Sequence, residues 1–368
     1  QELRLAMQER FHYHYAVAGL PFILWNIPFY QENHYTCSSY VARVLEKYGV
    51  CHWEKHFSLV TPKDFMEKFG RKRIFEGSLR ELVEMSVQEE TVYAVEKIVK
   101  GGETIDSVSF SESVGGKGLN QSIAVAKAGG NIMHAGCVGK DGEILLQALK
   151  DNNVDTSLIK TVETASGQAI IQVDKHGQNC IILFHGANYE VDKAYIDEVM
   201  QDFAQGDILI LQNEISNIDY IIEVAKAKQM KIYLNPSPIN ENLNKYNMQA
   251  IDGIFVNEHE GAYLAGKEKV EDILDSLASK YPELEIILTF GDKGAYYRHK
   301  DINIFQPAYK VDAVDTTAAG DTFTGYFIAL RQQGKSIEES LQKASKASSI
   351  TVSRKGASIS IPKIAEVD

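Results

Sequence analysis

Between residues 208 and 289, short apolar runs alternate with segments of helical periodicity. Continuous apolar runs of this kind are typical of strands that are buried on both faces of a parallel sheet. The alternation predicts a doubly wound α/β fold with a mostly parallel sheet, helices on both faces and a site at the carboxyl ends of the strands. The apolar runs cover 208–211, 232–234, 254–256 and 286–289, and the helical patterns cover 218–228, 258–265 and 270–280.

Two other apolar segments, 168–173 and 180–184, flank the short sequence Lys175-His176-Gly177-Gln178. Strand-forming residues on either side of a short loop that contains glycine are typical of a β-hairpin. We therefore predict a hairpin here, separate from the parallel sheet.

The composition excludes several classes of protein. The formal net charge of −12 argues against nucleic-acid binding as the main task. No apolar run is long enough to span a membrane, and no signal peptide is recognisable at Gln1. The four cysteines form neither a disulfide framework nor a Cys-x-x-Cys motif. We therefore expect a cytoplasmic protein with reduced thiols.

A shift in composition near residues 84–90 predicts a domain boundary. Both tryptophans, Trp25 and Trp53, lie before it, in a segment that is rich in other aromatic residues. We therefore divide the chain into a short α+β appendage, 1–84, and a main domain, 85–368.

The segment 315–323 reads Asp-Thr-Thr-Ala-Ala-Gly-Asp-Thr-Phe and leads into a helical pattern. A helix that begins here would direct unpaired backbone N–H groups at the turn, and the small residues Ala318, Ala319 and Gly320 would let a phosphate approach them. Asp321 would lie beside that phosphate, where it is suited to take a proton from an attacking hydroxyl. The alternative is that Asp321 is an N-cap and the small residues serve close packing. Taken alone, the segment supports both hypotheses equally.

A second glycine-rich turn, 115–121, reads Gly-Gly-Lys-Gly-Leu-Asn-Gln and also precedes a helical pattern. It matches neither the P-loop nor the dinucleotide fingerprint. Together the two turns resemble the ribokinase branch of the PfkB sugar-kinase family, which joins a Gly-Gly-Lys-Gly-x-Asn sugar-binding turn to a later Asp-Thr-x-Ala-Gly-Asp turn. The resemblance covers about residues 86–368. It implies an ATP-dependent sugar kinase of ribokinase-like fold, with a small β lid over the sugar. The predicted hairpin would belong to this lid.

The resemblance also implies which residues carry out catalysis and hold the sugar. Asp321 would be the base, and the backbone of Ala318, Ala319 and Gly320 would neutralise charge on the transferred phosphoryl group. In isolation, Glu214 could equally be a surface carboxylate at the end of a strand. The sugar contacts would be Gly116, Lys117, Gly118, Asn120, Glu214, Glu90 and Asp321.

The ATP contacts that the resemblance implies lie in the second half of the chain. Simple turns would explain two of these places equally well, because Asn235 precedes a proline and 289–294 could be an ordinary hairpin. Ser345 stands where the family often has an asparagine near the adenine. The implied contacts are Asn235, Thr289, Gly291, Gly294, Gly320, Asp321 and Ser345.

Two metal sites follow from the same resemblance. Asn257 and Glu260 match an Asn-x-x-Glu pair that organises magnesium and phosphate, and their spacing puts both on one helical face. A monovalent cation, usually potassium, would be held mainly by backbone carbonyls and hydroxyls, which are hard-oxygen ligands. A solvated basic pair at a helix end is the simpler explanation of Arg354. The potassium positions would be Asp315, Thr317, Thr351, Arg354, Gly356 and Ser360.

The chain departs from the family at its first strand. The family opens with an apolar strand that runs into Gly-Ser-x-Asn-x-Asp, whose last residue grips two sugar hydroxyls. Alignment without gaps puts Met85, Gln88 and Glu90 at the Gly, Asn and Asp positions. The preceding residues, 79–84, are too charged for a typical central strand.

Residues 1–84 resemble the second half of an NlpC-like, papain-fold cysteine hydrolase. The sequence 34–42 places Cys37 before a helical pattern, and a helix N-terminus lowers the pKa of a cysteine as a nucleophile requires. The half that would carry the catalytic His is missing. A buried structural role for Cys37 is therefore the favoured interpretation.

Three hypotheses of function remain open. The first is an ATP-dependent kinase for ribose at its 5-hydroxyl, with nucleoside and fructose kinases as variants. The second is a catalytically weak sugar- or nucleotide-binding protein whose altered first strand has impaired the sugar site. The third is a cysteine hydrolase that works through Cys37. The expected partners are a small sugar and ATP, without nucleic acid or membrane, and the resemblance leaves room for a homodimer through the β lid.

Overall fold

The computed structural model describes residues 14–15, 34–35, 90–176 and 178–368. The chain divides into two compact units, Gln1–Glu84 and Met85–Asp368. In the first unit, the description is limited to two short parallel strands. The predictions for Cys37 and for the altered first strand at 79–89 lie outside the described residues.

The second unit alternates strands and helices along most of its length. Five short 3-10 helices lie in the connections of its described residues. None of the helices in the described part of the chain has the length and apolar character needed to cross a bilayer. The two strands of the first unit are β1 (His14–Tyr15) and β2 (His34–Tyr35). The strands of the second unit are β3 (Glu90–Val95), β4 (Ser107–Ser113), β5 (Met133–Val138), β6 (Asp155–Thr161), β7 (Gln168–Asp174), β8 (Asn179–Phe184), β9 (Ile208–Gln212), β10 (Lys231–Asn235), β11 (Gly253–Asn257), β12 (Glu285–Phe290), β13 (Gly294–His299) and β14 (Ile302–Pro307). The helices are α1 (Lys117–Lys127), α2 (Glu143–Asp151), α3 (Lys193–Val199), α4 (Ile218–Ala227), α5 (Glu258–Ala265), α6 (Val270–Lys280), α7 (Ala319–Gln332), α8 (Ile337–Val352) and α9 (Ile364–Val367).

The largest sheet has six strands in the order β14-β13-β12-β11-β10-β9. Strands β9 to β12 are parallel, and the β13–β14 hairpin adds two antiparallel strands at one edge. All four apolar runs predicted as strands form these parallel strands, and the three predicted helices are α4, α5 and α6. The predicted doubly wound α/β fold with a mostly parallel sheet is confirmed.

Helices cover both faces of this sheet. Along β11, the side chains of Ile254 and Val256 enter one hydrophobic core, whereas that of Phe255 enters another. The first core contains apolar residues of α3, α4 and α6, and the second contains those of α1, α2, α7 and α8. Successive side chains of a strand point to opposite faces, so burial on both sides requires the continuous apolar runs seen in the sequence.

A second sheet of four strands has the order β4-β3-β7-β8. Its β7 and β8 form the predicted antiparallel hairpin, with Gln168 opposite Phe184. This sheet exposes large apolar side chains, including Val108 at 68%, Ile182 at 58% and Phe184 at 51%. We call it the lid sheet.

A separate pair of parallel strands, β5 and β6, completes the described sheets. Among residues 90–176 and 178–368, β5 pairs only with β6, and β9 pairs only with β10. Residues of β5 and β9 both line one cavity of about 1570 Å³, which continues to the carboxyl end of β9.

Candidate functional site

The two glycine-rich turns predicted from the sequence both lead into helices, α1 and α7, that pack against each other. Gly325 of α7 lies so close to α1 that an added Cβ would collide with Ala124 and would lie 2.7 Å from the carbonyl oxygen of Gln121. Glycine is therefore required at this crossing. The close approach brings the first turn of α7 beside the first turn of α1.

Asp321 lies in the first turn of α7 and is 8% exposed. The N-cap of this helix is Ala318, in the left-handed conformation with φ of 60°. The sequence-based alternative that Asp321 is the N-cap is therefore wrong. Its carboxylate instead accepts two hydrogen bonds from α1, from Asn120 Nδ2 to Oδ2 at 3.1 Å and from Gln121 Nε2 to Oδ1 at 2.9 Å.

Lys117 is the cation at the centre of the site. Burial alone would lower the pKa of its ammonium group, but the surrounding carboxylates, Asp321 first and then Glu214, raise this pKa above its ordinary value. The lysine is therefore charged at neutral pH. Burial raises the pKa of the Glu214 carboxyl, and the positive charge of Lys117 opposes this effect.

Glu90 reaches the same site from the start of β3. Its carboxylate accepts hydrogen bonds from Ser113 Oγ at 3.3 Å and from the backbone N–H of Gly116 at 3.4 Å. Burial raises the pKa of Glu90, and the charge of Asp321 acts in the same direction. An added Cβ at Gly115 would collide with the Glu90 carboxylate, so this turn admits the glutamate only because residue 115 is glycine. Both hydrogen bonds are long, and the carboxylate is held loosely.

Glycines at the N-termini of α7 and α1 have open space beside them. An added Cβ at Gly320 or at Gly116 would meet no atom within 4 Å. The N–H groups of the first turn of a helix have no partner within the helix, and the helix dipole favours a negative charge there. An anion such as a phosphate therefore has access to the N-terminus of α7.

Among the predicted potassium positions, the side chain of Asp315 joins two loops, whereas three other side chains bond elsewhere. Asp315 Oδ1 accepts the N–H of Thr317 at 2.9 Å and Oδ2 accepts that of Gly356 at 3.0 Å, so its side chain joins the two loops. Burial raises the pKa of Asp315, but these hydrogen bonds outweigh it and the net pKa is lowered. The other side chains are engaged elsewhere: Thr351 Oγ1 lies 3.1 Å from Thr322 Oγ1 and Arg354 bonds to Glu366, while Ser360 Oγ donates to the carbonyl of Ala357.

The predicted magnesium pair forms a capping box at the start of α5. Asn257 Oδ1 accepts the N–H of Glu260 at 2.9 Å, and Glu260 Oε2 accepts the N–H of Asn257 at 2.9 Å. Among the described residues, no group of three or more His, Cys, Asp or Glu side chains could hold a metal ion. A single carboxylate with an amide fits Mg²⁺ only in the form that keeps several waters and is held mainly by phosphate oxygens.

The predicted nucleotide contacts lie at or near the ends of the next strands. Asn235 ends β10 and its Oδ1 accepts the N–H of Ser237 at 3.1 Å, which forms the simple Asx turn. Thr289 lies near the end of β12, and Gly291 and Gly294 form the turn into β13 with positive φ angles. Ser345 is buried within α8.

One cavity, of about 1570 Å³, collects many of the predicted site residues but not all of them. Those that line it are Glu90, Gly116, Lys117, Gly118, Asn120, Glu214, Asn257, Asp315, Thr317, Ala318, Asp321 and Gly356. Those that do not line it are Asn235, Glu260, Thr289, Gly291, Gly294, Ala319, Gly320, Ser345, Thr351, Arg354 and Ser360.

The sequence analysis missed two glutamines of this site. Gln121 follows Asn120 in the first glycine-rich turn, and Gln212 is the last residue of β9. Gln212 Nε2 donates to Gln121 Oε1 at 2.7 Å. The only signal in the sequence is that each stands next to a predicted site element.

Comparisons with known proteins identify the family and the fold. The profile of the pfkB family carbohydrate kinase matches residues 86–364. Ribokinase of Schizosaccharomyces pombe is 37% identical over 290 residues, which cover 73% of this chain and 90% of that protein. The structure of ribokinase from Cryptococcus neoformans var. grubii serotype A in complex with ADP has a TM-score of 0.68 and 30% identity, over 77% of this chain and 96% of that one. Ribokinase of Arabidopsis thaliana, complexed with ribose and ATP, has a TM-score of 0.66 and 29% identity, over 76% and 94% of the two chains. The family match begins at residue 86, so the hydrolase-like interpretation of residues 1–84 stays a prediction.

Proposed function

The chain belongs to the pfkB family of carbohydrate kinases and is an ATP-dependent sugar kinase, and from this premise we propose that its acceptor is ribose, phosphorylated at the 5-hydroxyl. The observation that carries the proposal is the buried Asp321 at the N-terminus of α7, next to Lys117 and Asn120 of α1. The ribokinase relatives support ribose as the acceptor.

In this mechanism Asp321 is the general base. Its carboxylate takes the proton of the sugar hydroxyl while that oxygen forms a bond to the γ-phosphorus of ATP, and the bond from this phosphorus to the β–γ bridging oxygen breaks. The products are the sugar phosphate, ADP and a proton on Asp321 that passes to water. Backbone N–H groups of residues 318–321 stabilise the negative charge on the transferred group.

Lys117, Asn120, Glu214 and Glu90 would hold the sugar. Lys117 stays protonated and offers three donors to hydroxyl oxygens. Asn120 Oδ1 is buried and, among the described residues, has no hydrogen-bond partner. Because an unpaired buried acceptor is costly, a sugar hydroxyl that donates to it would be favoured.

Two ions belong to the proposal. Asn257 and Glu260 would hold a water-rich Mg²⁺ that neutralises phosphate charge when ATP is bound. The carbonyl oxygens of Asp315 and Gly356 lie on two loops that the Asp315 side chain joins, and they would hold K⁺. The nucleotide would lie along Asn235, 289–294, Gly320 and Ser345.

The exposed apolar side chains of the lid sheet support association of two copies through this sheet. A cytoplasmic setting is also part of the proposal and rests on the cysteine pattern of the sequence. The second candidate function is a weak sugar-binding protein, because Glu90 stands in place of an aspartate and is held only by long hydrogen bonds.

A coupled assay of ADP release over ribose, fructose and adenosine tests the acceptor, and Glu90→Asp tests the altered sugar contact. We expect ribose to give the highest kcat/KM. Its KM in the unmodified chain should be high, because the altered contact binds the sugar weakly. Glu90→Asp should lower the KM for ribose several-fold and leave the KM for ATP unchanged, because each poorly made buried hydrogen bond costs about 1–3 kcal/mol.

Glu163→Asp is the matched control, because Glu163 is an exposed glutamate that pairs with Lys140 at 2.6 Å. It should leave both KM values as they are. If the unmodified chain already binds ribose with the affinity of an ordinary sugar kinase, another carboxylate grips the sugar. If fructose or adenosine is preferred, ribose is not the acceptor.

Potassium should raise turnover relative to sodium or tetramethylammonium at equal ionic strength. The reason is that a cation held beside the N-terminus of α7 strengthens the anion site, and carbonyl oxygens on fixed loops select ion size. Asp315→Ala removes the side chain that joins these loops, so its turnover should need higher potassium concentrations. Equal rates in all three salts would remove the cation from the mechanism.

A further inference from the structure

Gln121 links the base to the carboxyl end of β9. Its Nε2 donates to Asp321 Oδ1 at 2.9 Å, and its Oε1 accepts from Gln212 Nε2 at 2.7 Å. Gln121 is 1% exposed, so its side chain is shielded from bulk water, whereas Gln212 is half-buried. These two distances are within the normal range for N–H···O hydrogen bonds.

The chemistry of the three groups fixes the direction of both amides. An ionised carboxylate can only accept hydrogen bonds, so the NH₂ group of Gln121 must face Asp321. The carbonyl oxygen of Gln121 then faces Gln212, which must present its own NH₂ group. Gln212 thus keeps Gln121 in the orientation that donates to the base.

A glycine makes room for this arrangement. A Cβ at Gly118 would lie 2.9 Å from Gln212 Oε1. A side chain at position 118 would require the end of the Gln212 side chain to shift. Residue 118, which the family resemblance assigns to the sugar, therefore also supports the pair of glutamines.

On the premise of the proposed function, we propose that Gln121, oriented by Gln212, is a positioning residue that holds Oδ1 of Asp321 in one place. Asn120 contacts the other oxygen, Oδ2. With Oδ1 engaged, the carboxylate cannot rotate, and Oδ2 keeps a lone pair for the substrate hydroxyl.

Other charged groups act on the same carboxylate. Lys117, Glu90 and Glu214 are coupled to Asp321 by electrostatics, and Asp315 and Lys355 border the same cavity. His134 lies opposite Gly118 and bonds to Ser122 Oγ, and burial lowers its pKa to about 4, so it is neutral in the working range. A test must therefore remove the amide donor without changing any charge.

Gln121→Met meets this requirement, because methionine has similar length and no donor. We expect kcat to fall roughly 10-fold, the KM for ATP to stay the same, and the acidic limb of the kcat–pH profile to move to higher pH, because loss of a hydrogen-bond donor destabilises a carboxylate. Gln212→Met should cause a smaller change in the same direction. The double variant should be little worse than Gln121→Met, because both changes break one chain of hydrogen bonds.

The matched control is Gln147→Met on α2, where Gln147 Nε2 donates to Asp151 Oδ1 at 2.6 Å on an exposed surface. It should change neither kcat nor the pH profile. If circular dichroism shows that Gln121→Met does not fold, Gln212→Met is used instead, because it breaks the hydrogen bond that orients Gln121.

Loss of kcat in Gln121→Met with an unmoved acidic limb would overturn the inference, since a merely structural role predicts that result. Additive effects of the two Met variants would overturn the role of Gln212. Asp321→Asn separates this outcome from failure of the proposed function. If the Asp321→Asn variant retains turnover, Asp321 is not the base and the proposed function fails. If this variant loses turnover while Gln121→Met leaves the acidic limb of the pH profile unmoved, only the role of Gln121 fails. A carbon-13 NMR titration of the aspartate carboxyl groups gives a readout that does not depend on turnover. The Asp321 resonance is identified by its absence in Asp321→Asn, and its pH dependence is then compared between Gln121→Met and the unmodified protein.

Discussion

Asp321→Asn should lower turnover by about two to four powers of ten, with ATP binding little changed. The substitution removes the carboxylate that takes the hydroxyl proton in the proposed mechanism. It also replaces one acceptor oxygen by an NH₂ group, which would face the NH₂ of Asn120 or of Gln121. Steady-state kcat and calorimetric ATP binding measure the two quantities separately.

Asp312→Asn is the matched control for this charge change, because Asp312 is an exposed aspartate in the same stretch of chain. It should leave turnover near that of the unmodified protein. An equal loss of turnover and of ATP affinity in Asp321→Asn would instead mark Asp321 as a structural group at the start of α7.

Gly325→Ala should reduce both stability and turnover although residue 325 touches no substrate. Its Cβ would collide with Ala124 and would lie 2.7 Å from Gln121 O and 2.9 Å from Val125 N, so α7 and α1 must move apart. Overpacking of this kind costs about 1–3 kcal/mol of unfolding free energy. Because Asp321 lies on one helix and Asn120 on the other, a shift on the order of 1 Å at the site could lower kcat about 100-fold.

Gly101→Ala is the control, since an added Cβ at this loop glycine meets no atom within 4 Å. Thermal unfolding and steady-state kinetics on both variants make the comparison. If Gly325→Ala unfolds and turns over like the unmodified protein, the distance between the two helices does not set the geometry of the base.

Local sequence patterns predicted the elements of the parallel sheet well. Helices α5 and α6 have the predicted bounds, because capping residues and apolar periodicity are local properties. The spacing of Asn257 and Glu260 predicted that they lie on one helical face. In the structure they are the N-cap and N3 residues of α5. Glycine-rich turns before helical patterns likewise indicated where α1 and α7 begin.

Contacts between distant parts of the chain could not be predicted in the same way. The hydrogen bond from Gln212 to Gln121 joins residues 91 positions apart, and that from Gln121 to Asp321 joins residues 200 apart. Apart from its place next to a predicted site element, neither glutamine carries a signal that distinguishes it from a surface glutamine. The left-handed conformation of Ala318 was equally hidden, because alanine carries no signal for positive φ.

We expect the edges of β5 and β9 to affect how this protein behaves in concentrated solution. In the part of the chain that the structure describes, each of these strands has a neighbour on one side only, and both border the large cavity. A row of backbone N–H and C=O groups without a neighbouring strand is a template for pairing with another polypeptide, which leads to aggregation or strand exchange. Gln212 ends β9, so a strand that pairs there would reach the hydrogen bonds that lead through Gln121 to Asp321. Self-association and loss of catalysis would then be two results of the same event.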